Sequence, residues 1–136
     1  MSVNPVKKIY LGIGSNLGNR LHNIEKVKLR LLENDIKILK SSNYYESLSW
    51  PNPNHPKFLN IVLKVFTTLE PHKLLKICKK IETDLGRKKA MKNYPRICDI
   101  DILDYKSKII DKKVILPHPR VQKRNFVLIP LFELDK

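Results

Sequence analysis

Two aspartates one residue apart, Asp99 and Asp101, are the side chains of this sequence best placed for chemistry. The apolar pattern of residues 98–105 predicts a strand, in which side chains at i and i+2 share a face about 6–7 Å apart. Ile100 and Ile102 would enter the core, so both carboxylates would project from the opposite face. Paired carboxylates repel each other unless a cation lies between them, and their oxygens suit Mg²⁺ that also binds phosphates. We therefore expect two Mg²⁺ ions about 3.5–4 Å apart, the alternative being a solvated strand edge whose acids pair with lysines.

A second segment carries an aromatic and an amide side chain at the same spacing. Apolar residues alternate through 58–67, so Leu59 would face the core while Phe58 and Asn60 face the open surface of the aspartates. An aromatic ring beside an amide that donates and accepts hydrogen bonds suits a flat heterocycle. The alternative is a phenylalanine that only packs and an asparagine that bonds only to backbone.

Basic side chains flank the aspartate strand on both sides. Those before it and after it are Arg87, Lys88, Lys89 and Arg96, then His118, Arg120 and Arg124. Guanidinium groups bind phosphate oxygens bidentately and offset the charge that develops in phosphoryl transfer. Each one singly is explained as surface charge, but their position around the aspartates favours phosphate binding.

The positive net charge of the chain favours anionic partners but does not distinguish between the kinds of anionic partner. The chain has 27 Lys and Arg against 13 Asp and Glu, a formal net charge of +14. Such an excess favours nucleic acid or a nucleotide phosphate chain, although a general lysine bias would produce the same total. No apolar run reaches the roughly 20 residues that cross a bilayer, and no export signal precedes the first strand. Cys78 and Cys98 are therefore interpreted as reduced thiols of a cytoplasmic protein.

The predicted elements form one domain over residues 1–136. Strands are expected at 7–13, 36–45, 58–67 and 98–105, followed by a final apolar segment at 126–134. The first helix would present Leu21, Ile24, Leu31 and Leu32 and end near Asn34; the second would begin at Pro71, present Leu74, Cys78, Ile81 and Leu85, and end at Gly86. This order predicts a ferredoxin-like α+β sandwich, with both helices on one face of an antiparallel sheet and the other face available for ligands.

The glycines between the first strand and first helix do not form a nucleotide motif. Gly12, Gly14 and Gly18 surround a polar segment, but no Gly-Lys-Ser/Thr follows and the third glycine is misplaced for a dinucleotide fingerprint. We interpret them as a structural turn that also shapes a binding pocket.

Taken together, these segments closely resemble the 6-hydroxymethyl-7,8-dihydropterin pyrophosphokinase family. The matching pieces, in the family's order, are Gly14-Ser15-Asn16-Leu17-Gly18-Asn19-Arg20, Ser41-Ser42 with Tyr45-Glu46-Ser47, Phe58-Leu59-Asn60, Ile81-Glu82 with Gly86-Arg87, Pro95-Arg96 with Asp99-Ile100-Asp101-Ile102-Leu103, and Leu116-Pro117-His118 with Arg124, Phe126 and Pro130-Leu131. The ordered set covers nearly the whole chain.

The resemblance implies a three-layer ferredoxin-like fold that binds MgATP and then the pterin, whose hydroxyl attacks the β-phosphorus and releases AMP. It assigns two Mg²⁺ ions to Asp99 and Asp101, where they would lower the pKa of the hydroxyl, and catalytic roles also to Arg87, Lys89 and Arg96. It implies a monomer that acts on small molecules, with no nucleic acid or membrane partner.

The resemblance also assigns substrate contacts. The pterin would meet Ser47, Ser49, Phe58, Asn60 and Phe126, and the nucleotide would meet Glu82, Arg87, Arg96, His118 and Arg124. Asn93-Tyr94 stands where the family often has Trp-Gly, and Lys89 where arginine is common. The chain ends at Lys136 where many members continue, so a minimal domain of lower stability is expected.

Two other functions are compatible with part of the sequence. A basic ferredoxin-like module would bind RNA on its open sheet face, but such a face should carry stacking aromatics rather than two aspartates. A metal-dependent nuclease would use Asp99 and Asp101 but leaves the segment 58–60 unexplained.

Overall fold

A computed structural model describes residues 9–49, 52–86 and 95–105 of the chain. Its elements are β1 (Ile9–Ser15), α1 (Arg20–Glu33), β2 (Lys37–Ser41), β3 (Tyr45–Ser47), β4 (Phe58–Phe66), α2 (Pro71–Asp84) and β5 (Asp99–Tyr105). Neither helix in these three ranges is long and apolar enough to span a membrane. The expected final apolar segment at 126–134 lies outside the described residues.

The sheet is antiparallel at every described pairing. Its strand order is β2-β4-β1-β5, and β3 pairs with the beginning of β4 beside β2. The long strands β1 and β4 are therefore central. This α+β arrangement confirms the predicted ferredoxin-like sandwich, of which the described residues form the sheet layer and the helix layer.

The core lies between the sheet and the two helices. Alternate residues of the two central strands are at most 2% exposed, namely Ile9, Leu11 and Ile13 of β1 and Ile61, Leu63 and Val65 of β4. They belong to the same apolar cluster as the buried stripes of the helices, Ile24, Val27 and Leu31 of α1 and Leu74, Cys78 and Ile81 of α2. Removal of this apolar surface from water is the main term that holds the helices against the sheet.

Both helices end where the sequence predicted. After α1, the N–H of Asp35 donates to Leu32 O and that of Ile36 to Leu31 O, while Asp35 takes the left-handed φ of 61°. This is the Schellman pattern, in which the residue after the C-cap reverses the chain and satisfies the last carbonyls. Gly86 follows α2 with a φ of 108°, a conformation that glycine adopts without steric cost.

The predicted apolar face of α1 was wrong along one margin. Leu21 is 51% exposed and Leu32 is 53% exposed. At about 100° per residue, both leucines lie on the same side of the stripe centred on Val27 and Leu31, roughly 100–120° around the helix from its centre. Spacing alone grouped them with the core, but they lie beyond the strip that the sheet covers.

Two boundaries in the strands also differ from the prediction. The expected strand 36–45 is two strands, because the ladder of β2 ends at Ser41 and the hydroxyl of Ser42 accepts the N–H of Val62 before β3 begins at Tyr45. The first strand continues through Gly14 and Ser15, so the turn before α1 begins only at Asn16. Gly12 and Gly14 are therefore strand residues and not part of a turn.

The face of the sheet opposite the helices is only partly open. Tyr10, Val62 and Leu103 point to that face and are each at most 3% exposed, so this part is a second buried apolar patch. Leu103 is the extra residue of a bulge in β5, opposite the junction of Tyr10 and Leu11. The face that was predicted to be available for ligands is therefore buried in part among the described residues.

Adjacent leucines of α1 provide a matched test of this packing. We expect Leu31→Ala to lower the free energy of unfolding by about 2–5 kcal/mol, since Leu31 is fully buried and its loss leaves a cavity. Leu32→Ala should change it by no more than about 0.5 kcal/mol. Urea unfolding of both variants measures the difference, and equal losses would contradict the assignment of the buried face.

Candidate active site

A row of three residues crosses the centre of the sheet. Gly14 of β1 pairs with Asn60 of β4 on one side and with Asp99 of β5 on the other. Directly paired residues of antiparallel strands point to the same face, and neighbouring strands are about 4.8 Å apart. Asn60 and Asp99 therefore stand on the face opposite the helices with their Cα atoms about 10 Å apart. Asp101 lies in the next row of that face, opposite Gly12.

The glycines of β1 leave room for the side chains beside them. A Cβ on Gly14 would lie 3.0 Å from Asn60 Oδ1 and 3.2 Å from Phe58 Cδ1. A Cβ on Gly12 would lie 3.3 Å from the Leu103 side chain. Phe58 and Asn60 thus lean over the glycine strand towards the aspartates, and the predicted common face of these residues is confirmed.

The side-chain amide of Asn60 has a defined orientation. Its Nδ2 donates to Tyr45 O at 3.1 Å and to Ser47 Oγ at 2.8 Å. Because a backbone carbonyl can only accept, the contact with Tyr45 identifies the nitrogen. Both amide protons are used within the protein, and Oδ1 remains directed over Gly14, with no described residue donating to it. Asn60 thus presents an acceptor to this face, where the sequence had suggested both a donor and an acceptor.

Asp99 and Asp101 are both partly exposed, and Asp99 lies beside an arginine. Arg96 Nη1 is 3.5 Å from Asp99 Oδ1, with side chains 17% and 23% exposed. Within the described ranges no cluster of three His, Cys, Asp or Glu side chains could hold a metal ion. Two carboxylates on one face of a strand nevertheless fit Mg²⁺, which keeps several waters and completes its shell with phosphate oxygens. The donor set is oxygen only, which suits a hard cation and not zinc.

Glu82 of α2 supports the aspartate strand from the helix side. It is 2% exposed, and its Oε2 accepts the backbone N–H of Ile100 at 2.7 Å. Its other oxygen lies 3.6 Å from the ammonium of Lys79. The carboxylate thus satisfies a peptide group located between the two aspartates. Its expected contact with the nucleotide stays a prediction.

Asn16 connects the segments around the site and was missed as a functional residue by the sequence reasoning. It is 2% exposed, and its Nδ2 donates to Ser49 Oγ at 2.9 Å and to Pro56 O at 3.1 Å. Its Oδ1 accepts the N–H of Arg96 at 2.8 Å. The available signal was a polar residue directly after a buried strand, but nothing in the sequence indicates partners 33 to 80 positions away.

The remaining predicted residues divide into two groups. Ser47 and Ser49 both lie at the site, where Ser47 accepts from Asn60, and Ser49 is buried and donates to Pro56 O at 2.7 Å. Seven others lie outside the described residues and stay predictions, namely Arg87, Lys88, Lys89, His118, Arg120, Arg124 and Phe126.

The cysteines take no part in this chemistry. Cys78 and Cys98 are both fully buried, and neither forms a disulfide bond with a described residue. Burial raises the pKa of the Cys78 thiol to about 12, and the nearby Glu82 carboxylate adds to the rise. The thiol therefore stays protonated and behaves as a small apolar side chain.

Substitution of Glu82 tests its support of β5. Glu82→Ala should lower the free energy of unfolding by about 1–3 kcal/mol, because it leaves the Ile100 N–H buried without an acceptor. Glu82→Gln keeps an acceptor oxygen of the same reach and should lose less. Urea unfolding compares the two variants, and an alanine variant as stable as the glutamine variant would show that the acceptor is unimportant.

Comparison with known proteins identifies the family. A model of the family described as 7,8-dihydro-6-hydroxymethylpterin-pyrophosphokinase (HPPK) matches residues 10–136. The chain is 45% identical over 128 residues to the 2-amino-4-hydroxy-6-hydroxymethyldihydropteridine pyrophosphokinase of Aquifex aeolicus, which covers 93% of this chain and 79% of that protein. A Methylorubrum extorquens protein of the same name is 36% identical over 129 residues, 93% of this chain and 82% of that one.

Longer proteins contain the same region. The folic acid synthesis protein fol1 of Pneumocystis carinii is 44% identical over 132 residues, which cover 93% of this chain but 17% of that protein. The match thus extends over nearly all of this chain in relatives of very different length. The chain belongs to the 7,8-dihydro-6-hydroxymethylpterin-pyrophosphokinase family.

Proposed function

We propose that this chain transfers the pyrophosphoryl group of ATP to the hydroxymethyl group of 6-hydroxymethyl-7,8-dihydropterin in folate biosynthesis. The observation that carries the proposal is the row Asp99, Gly14, Asn60, which puts carboxylates and a hydrogen-bonding amide on one face with a side-chain-free strand between them. The separation of about 10 Å between the Cα atoms of Asn60 and Asp99 suits a heterocycle beside Asn60 and a phosphate chain beside Asp99. Family membership gives the chemistry of both ligands.

On the heterocycle side, the chain offers an oriented acceptor and an aromatic ring. Asn60 Oδ1 is held by the two bonds of its amide nitrogen, so it accepts from an N–H at the pterin edge without reorganising. Phe58 lies beside Asn60 over Gly14, and in the proposal its side chain contacts the pterin ring. Ser47 accepts a hydrogen bond from the side-chain amide of Asn60. By analogy with the family, the loop that carries Ser49 contacts the pterin, and Phe126 stacks on the other face of its ring.

On the phosphate side, Asp99 and Asp101 would hold two Mg²⁺ ions, which neutralise phosphate charge and lower the pKa of the attacking hydroxyl when bound. Arg96 already lies beside Asp99 and would exchange part of that contact for a phosphate oxygen. By the family analogy, Glu82 contributes to the nucleotide site and Arg87, Lys89, His118 and Arg124 bind or offset the charge of the phosphates.

The proposed transfer forms one bond and breaks one. The hydroxymethyl oxygen attacks the β-phosphorus of ATP, and the bond from that phosphorus to the oxygen bridging it to the α-phosphorus breaks. AMP leaves with the bonding electrons, the hydroxyl proton passes to solvent, and the pterin keeps both the β- and γ-phosphoryl groups. The contribution of the protein is to align the two ligands over the glycine strand.

The RNA-binding alternative is not favoured. Recognition of single-stranded RNA on a sheet relies on aromatic side chains of the central strands. On this face the central strand β4 presents Phe58, but β1 presents Gly12, Gly14 and a Tyr10 that is 3% exposed, and β5 presents two aspartates that would repel phosphate when no cation is bound. A monomeric, cytoplasmic enzyme that acts on small molecules, with no nucleic acid or membrane partner, belongs to the proposal.

The release of AMP tests the function directly. The purified chain is incubated with ATP and Mg²⁺, with and without 6-hydroxymethyl-7,8-dihydropterin, and AMP is quantified by chromatography. We expect AMP and a pterin diphosphate in equal amounts, formed only when the pterin is present. Folded protein that forms no pterin-dependent AMP would refute the proposal, and titration with RNA at several salt concentrations would then test the alternative.

Substitution of the aspartates tests the metal assignment. Asp99→Ala and Asp101→Ala should each lower kcat at least about 100-fold, because each removes a ligand of the ions that stabilise charge in the transition state. The matched control is Asp104→Ala, which removes a carboxylate from the same strand beyond the bulge. Near-normal turnover of either site variant, with the thermal transition of the wild type, would show that the carboxylates do not bind the metal.

A further inference from the structure

Arg20 joins the two ends of the connection between β3 and β4. One nitrogen of its guanidinium, Nη1, donates to Glu46 Oε2 at 2.9 Å and to the backbone oxygen of Lys57 at 3.0 Å. Glu46 is the middle residue of β3, and Lys57 directly precedes β4. Since Nη1 carries two hydrogens, each acceptor receives its own. A single side chain of α1 therefore closes the base of the connection, residues 48–57.

The backbone of Arg20 is fixed where α1 begins. Asn19 is the N-cap, and its Oδ1 accepts the N–H of His22 at 3.1 Å while its backbone oxygen accepts the N–H of Asn23 at 2.9 Å. These bonds satisfy donors of the first helical turn. The next turn is packed into the core by the buried Ile24. Arg20 thus extends from an anchored helix to the two ends of the connection.

The amide of Asn60 depends on β3, which is a very short strand. The strand has three residues, and its ladder with β4 consists of three pairs, of which the middle one is Glu46 with Leu59. Asn60 Nδ2 donates to Tyr45 O and to Ser47 Oγ, which lie on either side of Glu46. A two-stranded ladder of this size is marginal by itself. A contact that holds Glu46 therefore also holds both acceptors of the Asn60 amide.

Arg20 acts from the side of the sheet opposite the ligands. Glu46 pairs with Leu59, which packs against the core cluster on the helix side. Directly paired residues of antiparallel strands share a face, so the Glu46 side chain points towards the helix layer. Asn60 is paired with Tyr45 on the other face. The effect of Arg20 on a ligand beside Asn60 therefore passes through β3 and the base of the connection.

We propose that Arg20 is a positioning residue for the pterin, which holds β3 and the base of the 48–57 connection in the conformation that binds the heterocycle. The inference rests on the proposed function, since the ligand is the pterin of that proposal. Without this contact, β3 would separate from β4 for part of the time and the Asn60 acceptor would lose its orientation.

The size of the effect follows from the fraction of protein that is competent to bind. The apparent dissociation constant equals the intrinsic one divided by that fraction, so the affinity for the pterin falls as β3 opens. The side chains of Arg20 and Glu46 are 32% and 52% exposed, and water and salt compete for the pair. The effect is therefore modest and is confined to one of the two substrates.

Calorimetry measures the affinity for each ligand separately. The dissociation constant of 6-hydroxymethyl-7,8-dihydropterin is determined on protein saturated with Mg²⁺ and α,β-methylene ATP, in which the bond that breaks is replaced by a stable one. Arg20→Ala should raise this constant about 3–10-fold, which corresponds to a competent fraction of roughly 0.1–0.3. The dissociation constant of the nucleotide analogue should stay within about twofold of the wild type, because both acceptors of Arg20 lie on the heterocycle side.

Hydrogen–deuterium exchange reports the same contact without any ligand. In Arg20→Ala, peptides that contain residues 45–47 should exchange faster than in the wild type, because the ladder of β3 opens more often. Glu46→Ala should raise both the exchange rate and the dissociation constant of the pterin. Glu46→Gln keeps an acceptor oxygen for Nη1 and should lie closer to the wild type in both measurements.

Arg30 provides a matched control on the same helix. Its side chain is 45% exposed and lies 3.8 Å from Glu33 and 3.9 Å from Asp84, so its ion pairs involve neither β3 nor the connection. Arg30→Ala removes the same charge as Arg20→Ala. It should leave both the dissociation constant of the pterin and the exchange of residues 45–47 at their wild-type values.

The outcomes separate this inference from the function itself. If the wild type releases AMP with the pterin while Arg20→Ala and Glu46→Ala bind the pterin with wild-type affinity, Arg20 has no positioning role and the proposed function stands. An equal loss of affinity in Arg30→Ala would attribute the effect to net charge and overturn the inference. Faster exchange of residues 45–47 without a loss of pterin affinity would overturn it as well. A wild type that forms no pterin-dependent AMP would instead refute the proposed function, and the inference with it.

Discussion

The register of β1 with both of its neighbours is the constraint on which the rest of the structure depends. Gly14 pairs at once with Asn60 and with Asp99, and this double pairing alone puts the amide and the carboxylate on one face. Since side chains alternate along a strand, a slip of one residue in either ladder would turn one of them towards the helices. The buried residues of β1, Ile9 to Ile13 on alternate positions, hold that register because any slip would expose them.

Buried polar side chains complete the sheet where its ladders end. Asn16 joins three segments beyond the end of β1, and Glu82 accepts a peptide N–H of β5. A buried hydrogen bond of this type costs about 1–3 kcal/mol when one partner is lost, whereas an exposed ion pair contributes about 0–1 kcal/mol. The exposed pair of Arg20 and Glu46, at 2.9 Å, is therefore a smaller contribution to the same loops. The geometry of the site depends chiefly on a few buried contacts and little on the abundant surface charge.

The spacing of apolar residues predicted the buried face correctly in elements that keep one period along their whole length. The alternation of β4 and β5 predicted their inner faces, and with them the outward direction of Phe58, Asn60 and the aspartates. The prediction failed where contacts with residues far away in the sequence interrupt an element or determine which part of it is buried. The strand predicted over 36–45 is interrupted at Ser42, whose hydroxyl accepts the N–H of Val62, and Leu32 is exposed because it lies to the side of the buried stripe of α1. Neither the partner of Ser42 nor the rotation of α1 against the sheet can be inferred from the local pattern.

The sequence by itself determined the types of element, their order, the faces of the two strands that carry the site and, through its ordered motifs, the family. These follow from short-range periodicity and from residue identity. The tertiary structure alone decided that Gly14 belongs to β1 between Asn60 and Asp99, that Asn60 offers an acceptor, and that Asn16 holds segments up to 80 positions away. Such facts depend on which backbone groups meet across the folded chain, and hydrogen-bond partners at that separation leave no periodic signal.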